Sequence, residues 1–206
     1  MSEHQSQTPA VYLASASPRR RELLERMGIV FEVIEQQVDE QVHAEETPEV
    51  FVIRLALEKA REGLANRPTG AQAPVLGADT AVVIDDTILG KPVDQHQALA
   101  MLERLSGRTH RVLTGVALVG DEGEATRLSM SRVSFREITP AEREAYWRTG
   151  EPKGKAGGYA IQGLGGVFAE QLEGSYSGVM GLPLFETDDL LRSFGLASPL
   201  HAPAGQ

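Results

Sequence analysis

The sequence has no cysteine, which excludes disulfides, thiolate zinc sites and a cysteine nucleophile. Lysine is scarce too. Of the 20 basic residues only Lys59, Lys91, Lys153 and Lys155 are lysine, and the rest are arginine. Where only positive charge is needed the two often substitute for each other, so these few lysines are candidates for places that need a compact ammonium; chance and coding bias explain any single one as well. No apolar run approaches the ~18 residues of a membrane span. The opening "MSEHQSQTPA" lacks the basic start and apolar centre of a signal peptide, so a cytoplasmic protein without a membrane partner is expected. There is no basic excess either. A net charge of −9 over 206 residues argues against a nucleic-acid partner, because nothing spread along the chain would displace counterions from a phosphate backbone. His4, His43, His96, His110 and His201 share no metal-ligand spacing, and none is assigned a role.

With 41% hydrophobic and 24% charged residues, the composition is that of a soluble globular protein. Strand and helix signals alternate. Val11–Ser15 reads as a strand, and Ser17-Pro18 opens a helix carrying Leu23, Leu24 and Met27 that stops at Gly28. Ile29–Ile34 reads as a second strand. Thr47-Pro48 opens a long helix to about Asn66, with Val50, Ile53, Leu57 and Leu64 on its apolar side. "VLGADTAVVI" reads as a buried strand turned by "DDT", and Asp94 caps a helix carrying Ala98, Met101, Leu102 and Leu105. "THRVLTGVALVG" and "ATRLSMSRVSFREI" look like a hairpin joined at "DEGE". Thr139-Pro140-Ala141-Glu142 is a capping box. Ten of the 21 glycines then fall between Gly150 and Gly181, interleaved with Tyr159, Ile161, Leu164, Val167 and Phe168, which argues against a flexible linker. A closing helix over Leu184–Phe194 and a frayed tail complete the chain. The pattern predicts one α/β domain over 1–206, structured over about 11–195, with a mixed sheet, an antiparallel middle section and two lobes around a cleft.

One helix start is unusual. The first turn of a helix favours acidic residues, yet this one holds Arg19, Arg20 and Arg21. Guanidinium groups beside free N–H groups make sense if a phosphate sits there, and Ser15 and Ser17 add hydroxyls; the alternative is that the arginines, Arg21 above all, point into solvent. Asp79, taken as lying at a strand end, is either a ligand group or a turn aspartate. Asp39 and Glu40 could join it as oxygen ligands for Mg²⁺, or form a solvated loop. By spacing alone Lys59 is an ordinary solvated helix residue. Lys91 follows a short strand. Lys155 stands beside the glycine-rich turn and Gln162 shortly after it, where an amide suits the edge of a base. No Walker A or dinucleotide fingerprint occurs.

"LASASPRRRELL", "LALEKA", "GADTAV", "LGKP", "LSGRTHRVLTGV", "KAGGYAIQGLGG" and "GSYSGVMGLPL" together resemble the Maf family of nucleoside triphosphate pyrophosphatases, over about Val11–Phe194 and in the expected order. The resemblance implies hydrolysis of a nucleoside triphosphate to monophosphate and pyrophosphate with a divalent cation, Mg²⁺ or Mn²⁺. It also implies a fold like the inosine triphosphate pyrophosphatases, and a homodimer. Arg19, Thr80 and Gln162 match the branch acting on dTTP and UTP rather than 7-methyl-GTP, with tolerance of 5-modified uridine triphosphates and a role in removing non-standard nucleotides. Carried onto this chain, the resemblance implies Asp79 as general base and Glu40 with Asp79 as metal ligands. Ser15, Arg19, Arg20, Lys59, Thr80, Lys91, Lys155 and Gln162 become the substrate-binding set. Gly154 departs from the pattern, where many relatives carry aspartate, and "YAIQG" replaces "YGIQG". Two other classes remain: a nucleotide-responsive protein linked to septum formation, and a phosphatase for another phosphorylated metabolite.

Overall fold

Val75–Ile84 forms strand β3, and everything that matters for function is arranged around it. All its residues are buried except Thr80, as a valine-rich run covered on both faces requires. The computed structural model describes residues 8–196 and 198–201, so His4 and most of the opening decapeptide lie outside the described residues. The other strands are β1 (Val11–Leu13), β2 (Phe31–Val33), β4 (Thr87–Leu89), β5 (Thr109–Gly120), β6 (Gly123–Phe135) and β7 (Ala169–Glu173). The helices are α1 (Pro18–Arg26), α2 (Pro48–Ala65), α3 (Gln95–Leu105), α4 (Pro140–Arg148), α5 (Tyr176–Met180) and α6 (Leu184–Ser193). The seven strands make one mixed sheet in the order β2-β1-β3-β5-β6-β7, with β4 also on β3; β2 and β3 run parallel to β1, and the remaining pairings are antiparallel.

The local signals act as their chemistry dictates. Asp85 and Asp86 take positive φ values of 50° and 56°, the backbone of a tight hairpin turn, and send β4 back along β3. Gly120 pairs with Gly123 across the β5–β6 hairpin. The Asp94 carboxylate accepts from Gln97 N, and the Thr139–Glu142 capping box is complete.

Two cores share one face of the sheet. Along β3 and β5, Leu76, Ala78, Val116 and Leu118 pack with α1 and α6, whereas Val82, Ile84 and Val112 pack with α3, Phe135 and Tyr159. Between these clusters the same face carries Thr80 and Thr114, opposite each other in register and joined through their hydroxyls at 2.9 Å. This polar interruption separates the two cores on that face. The other face is covered by α2. Gly77 and Gly115 let the helix come close, because a Cβ on either would overlap the backbone of Ala56 or Val52.

That close approach corrects the sequence reading of α2. The buried residues are Phe51, Val52, Leu55, Ala56, Lys59, Ala60 and Gly63; Val50, expected inside, is 55% exposed, and Ile53, Leu57 and Leu64 are only partly covered. A face of alanine and glycine packs nearer to a glycine-lined sheet than a face of branched side chains. The second strand is shorter than expected: regular pairing covers Phe31–Val33, although Ala10 N still donates to Val30 O and Ile34 N to Leu13 O, and Ile29 and Ile34 are buried. The glycine-rich segment contains two 3₁₀ turns, β7 and α5, none of which hydrophobic periodicity reveals. Part of the expected frayed tail is a 3₁₀ turn, Pro199–His201, and Pro199 leaves no room for a side chain at Gly28. Among the described residues no helix is long and apolar enough to cross a membrane.

Candidate active site

Strand β3 loses its partner on one edge. It pairs with β1 only as far as Leu76 and with β4 only from Val82. Between them β1 turns away into α1, and the slot left beside Gly77–Ala81 opens into a cavity of about 320 Å³. In an open α/β sheet, such a divergence of neighbouring strands is where a ligand finds room. Asp79 therefore stands in the middle of a strand, not at a strand end as the sequence suggested, and it reaches the cavity because the neighbouring strand is missing.

The charged groups converge from four elements. Lys59 projects from the buried face of α2 and is 3% exposed, which corrects the solvated reading. Its ammonium lies 2.7 Å from Asp79 Oδ1 and 2.6 Å from Glu40 Oε1. Lys91, just beyond β4, pairs with the other Glu40 oxygen. Partial burial opposes ionisation of Glu40, but hydrogen bonds from the two lysines outweigh it and hold its carboxyl at about 2. The cost of burying this cation is offset by two carboxylates at hydrogen-bond distance.

The arginine turn has a similar logic. Helix α1 starts at Pro18 with Ser17 as N-cap, no side chain caps it, and its first turn holds no acidic residue. Arg20 turns inward: its Nε donates to Gly181 O at 2.8 Å, and its other nitrogens reach Ser15 Oγ and Thr80 Oγ1. Arg19 donates through Nε to Met180 O at 3.2 Å. Burial lowers the pKa of both. The first turn of α1 is thus fastened to the end of α5, with guanidinium faces left towards the cavity. Arg21 is exposed, and among the described residues its side chain hydrogen-bonds only to Ala16 O, at 3.5 Å, in keeping with its solvent reading.

Across the cavity runs the segment 154–162. Lys155 lowers its pKa by burial and by the nearby Arg19 charge, and its ammonium has only a long contact to Lys153 O. Gln162 is exposed on the cavity wall. Gly154, the departure from the family pattern, has a φ of 69° and open space around it. The same cavity is also lined by the apolar side chains Val82, Val112, Tyr159, Ile161 and Val179. Every residue singled out as catalytic, substrate-binding or metal-holding lines this one cavity: Ser15, Arg19, Arg20, Glu40, Lys59, Asp79, Thr80, Lys91, Lys155 and Gln162. Asp39 does not, and its carboxylate caps Gln41 N instead.

The model of the family described as Maf-like protein matches residues 10–194. The chain belongs to the Maf family. The dTTP/UTP pyrophosphatase of Alkalilimnicola ehrlichii is 59% identical over 196 residues, which is 94% of this chain and 96% of that protein. Relatives with the same name from Saccharophagus degradans and Methylobacillus flagellatus are 51% and 50% identical, over 89% and 92% of this chain and 88% and 94% of their own lengths.

In this Maf protein the donors suit a hard divalent cation only in part. Glu40 and Asp79 offer carboxylate oxygens, but Lys59 bridges them, and among the described residues no group of three or more histidines and carboxylates could hold a metal. Two carboxylates are what Mg²⁺ takes from a protein when phosphate oxygens and water complete the shell. The set therefore fits a cation that arrives with its anionic substrate, not a preformed protein cage. Sequence reasoning missed Gln36 and Tyr159 on the cavity wall. Gln36 Oε1 is buried without a hydrogen-bond partner among the described residues, and the Tyr159 hydroxyl lies 2.8 Å from His110 Nε2. No spacing signal marks Gln36, which reaches the cavity from an irregular loop.

Proposed function

We propose that this chain hydrolyses dTTP and UTP, together with 5-modified uridine triphosphates, to the monophosphate and pyrophosphate, removing non-standard nucleotides. The observation that carries the reading is the gathering of Arg19, Arg20, Lys59, Lys91 and Lys155 around Asp79, beside an apolar surface in the same cavity. A polyanion with a flat apolar end matches that division. The volume lies within the range of about 300–1,000 Å³ usual for small-molecule sites. The names of the relatives support the choice of substrate.

In the mechanism, water attacks the α-phosphorus, the bond to the bridging oxygen breaks, and pyrophosphate leaves with the electron pair. Asp79 accepts the proton from that water through the carboxylate oxygen that Lys59 does not hold. Lys59 keeps the Asp79 carboxylate oriented. Arg19, Arg20 and Lys91 face the charge that develops on the leaving oxygens, with Ser15 and the first turn of α1 adding donors. Glu40 and Asp79 would hold Mg²⁺ or Mn²⁺, which would supply further neutralisation of the triphosphate when bound. Thr80 orients the nucleotide, and Gln162 pairs with the edge of the base. Its amide donates and accepts, matching the C=O and N–H groups of uracil and thymine, whereas cytosine lacks the ring N–H. A homodimer in the cytoplasm belongs to the same proposal; the half-exposed stripe of Val50, Ile53 and Leu57 on α2 is one surface through which two copies could meet.

A panel of triphosphates with Mg²⁺, scored for pyrophosphate and orthophosphate, tests the reading. UTP and dTTP are expected to release pyrophosphate fastest, with CTP poor and 7-methyl-GTP very poor; activity should vanish with a chelator and return with the metal. Orthophosphate as the product overturns the chemistry, and CTP or 7-methyl-GTP as best substrate overturns the branch.

A further inference from the structure

The wall that carries Gln162 is held from behind by two side chains outside the cavity lining. Tyr146, at the buried side of α4, accepts a hydrogen bond from Ala160 N at 3.1 Å and donates its own to Glu151 Oε1 at 2.6 Å. Glu151 accepts from Leu164 N through Oε2 and from Gly165 N through Oε1, both at 3.0 Å. Gln162 is thus bracketed two residues before and two residues after by one connected pair. The fit is close: a side chain at Gly163 would overlap the Glu151 carboxylate, and one at Gly165 the Tyr146 hydroxyl. Burial opposes ionisation of Glu151, yet hydrogen bonds from Tyr146, Gly165 and Leu164 overcome it and lower its pKa. The carboxylate stays charged, as an acceptor for three donors should.

We infer that Glu151 and Tyr146 are positioning residues for base selection, fixing the 160–165 segment so that the Gln162 amide meets the base edge in one orientation. The inference rests on the proposed role of Gln162. A loop with glycines at Gly163, Gly165 and Gly166 has many conformations available; a carboxylate that binds N–H groups on one side of Gln162, and a phenol that binds one on the other, remove most of them. Base discrimination depends on buried polar groups finding their partners within a fraction of an ångström, so it should respond to this clasp before the phosphate chemistry does. Of the cations facing the triphosphate, Arg19, Arg20, Lys59 and Lys91 are anchored elsewhere, on α1, α2 and the turn after β4; Lys155 alone stands on the clasped wall, where its charge and that of Glu151 act on each other.

The test compares Glu151→Gln, Tyr146→Phe, Gln162→Ala and the double variant Glu151→Gln/Gln162→Ala, using kcat and KM for UTP and CTP. Glutamine keeps the shape but sets an amide N–H against a backbone N–H. Phenylalanine removes the partner of Ala160 N. Each single clasp variant is expected to lower the UTP-over-CTP ratio of kcat/KM by about 10–10²-fold, mostly through KM for UTP. In the Gln162→Ala background, Glu151→Gln should lower the ratio no further, since it acts through the amide already removed. Melting temperatures are recorded alongside. If the clasp variants melt earlier and lose activity on both nucleotides with an unchanged ratio, Glu151 and Tyr146 are structural only and the inference is overturned. It is overturned equally if the ratio falls by the same factor with and without Gln162. If Gln162→Ala itself leaves the ratio unchanged, it is the base-reading role of Gln162 that fails, and the inference falls with it.

Discussion

On one wall of the cavity, elements far apart in sequence each send a charged side chain to a common point. On the other, the single segment 154–165 shapes the wall with its own backbone, turning at Gly154, Gly157 and Gly158 with positive φ. The charged wall is held by ion pairs that span the chain, such as Lys59 with Asp79 and Lys91 with Glu40. The backbone wall is held by Tyr146, Glu151 and, deeper, His110. On the roles proposed above, chemistry and selectivity rest on different residues apart from Lys155, and substitutions should separate them.

The largest effect is expected on the charged wall. Asp79→Asn keeps the shape but cannot take a proton, so turnover of UTP should fall by ~10²–10⁴ with the fold retained by circular dichroism. Turnover close to the parent value would remove Asp79 from its role as base.

Behind the other wall, His110 should matter for acid stability instead. It is 2% exposed, its Nδ1 has no hydrogen-bond partner among the described residues, and burial lowers its pKa from 6.5 to about 4. An unfolded chain takes up the proton near pH 6.5 while the folded one resists, so this contribution is complete above 6.5 and is lost as pH falls through about 4. The shift corresponds to on the order of 3 kcal/mol. His110→Gln, which keeps a hydrogen bond to Tyr159, should flatten the fall of melting temperature over that window and leave kcat at neutral pH nearly unchanged. Parallel pH curves for parent and variant would rule this out.

The smallest effects distinguish neighbours in the arginine turn. Arg19→Ala should cost roughly 10²-fold in kcat/KM, as removal of one transition-state donor does. Arg21→Ala, about 200° further round the helix, should match the parent enzyme. Equal tolerance at both positions would return the turn to the role of a solvated surface.

The same contrast governs what could be read in the sequence. The capping residues, the Asp85-Asp86 turn and the β5–β6 hairpin were legible because each is a local event with its own residue signature. The charged wall was legible only in part: cations at a helix start pointed to a phosphate, whereas Asp79 read equally as a turn aspartate and the rest of the set came from the family resemblance. The geometry of that wall was not legible. Lys59 looked solvated because spacing cannot reveal that two glycines on the sheet, Gly77 and Gly115, draw in the alanine face of α2 and bury the lysine with it. The backbone wall was least legible of all: the roles of Tyr146 and Glu151 depend on hydrogen bonds to main-chain N–H groups, which carry no residue identity.

The slot beside Gly77–Ala81 makes the length of a strand a functional trait. If β1 continued past Leu13 along β3, or β4 began to pair before Val82, the ladder would close like a zip over the place where Asp79 looks out. No side chain would have changed, yet the cavity would be sealed. Insertions and deletions in the short connections around Ala14–Ser17 and Gly90–Pro92 should therefore be tolerated as poorly as replacement of the aspartate itself, and what they erase is an opening, not a residue.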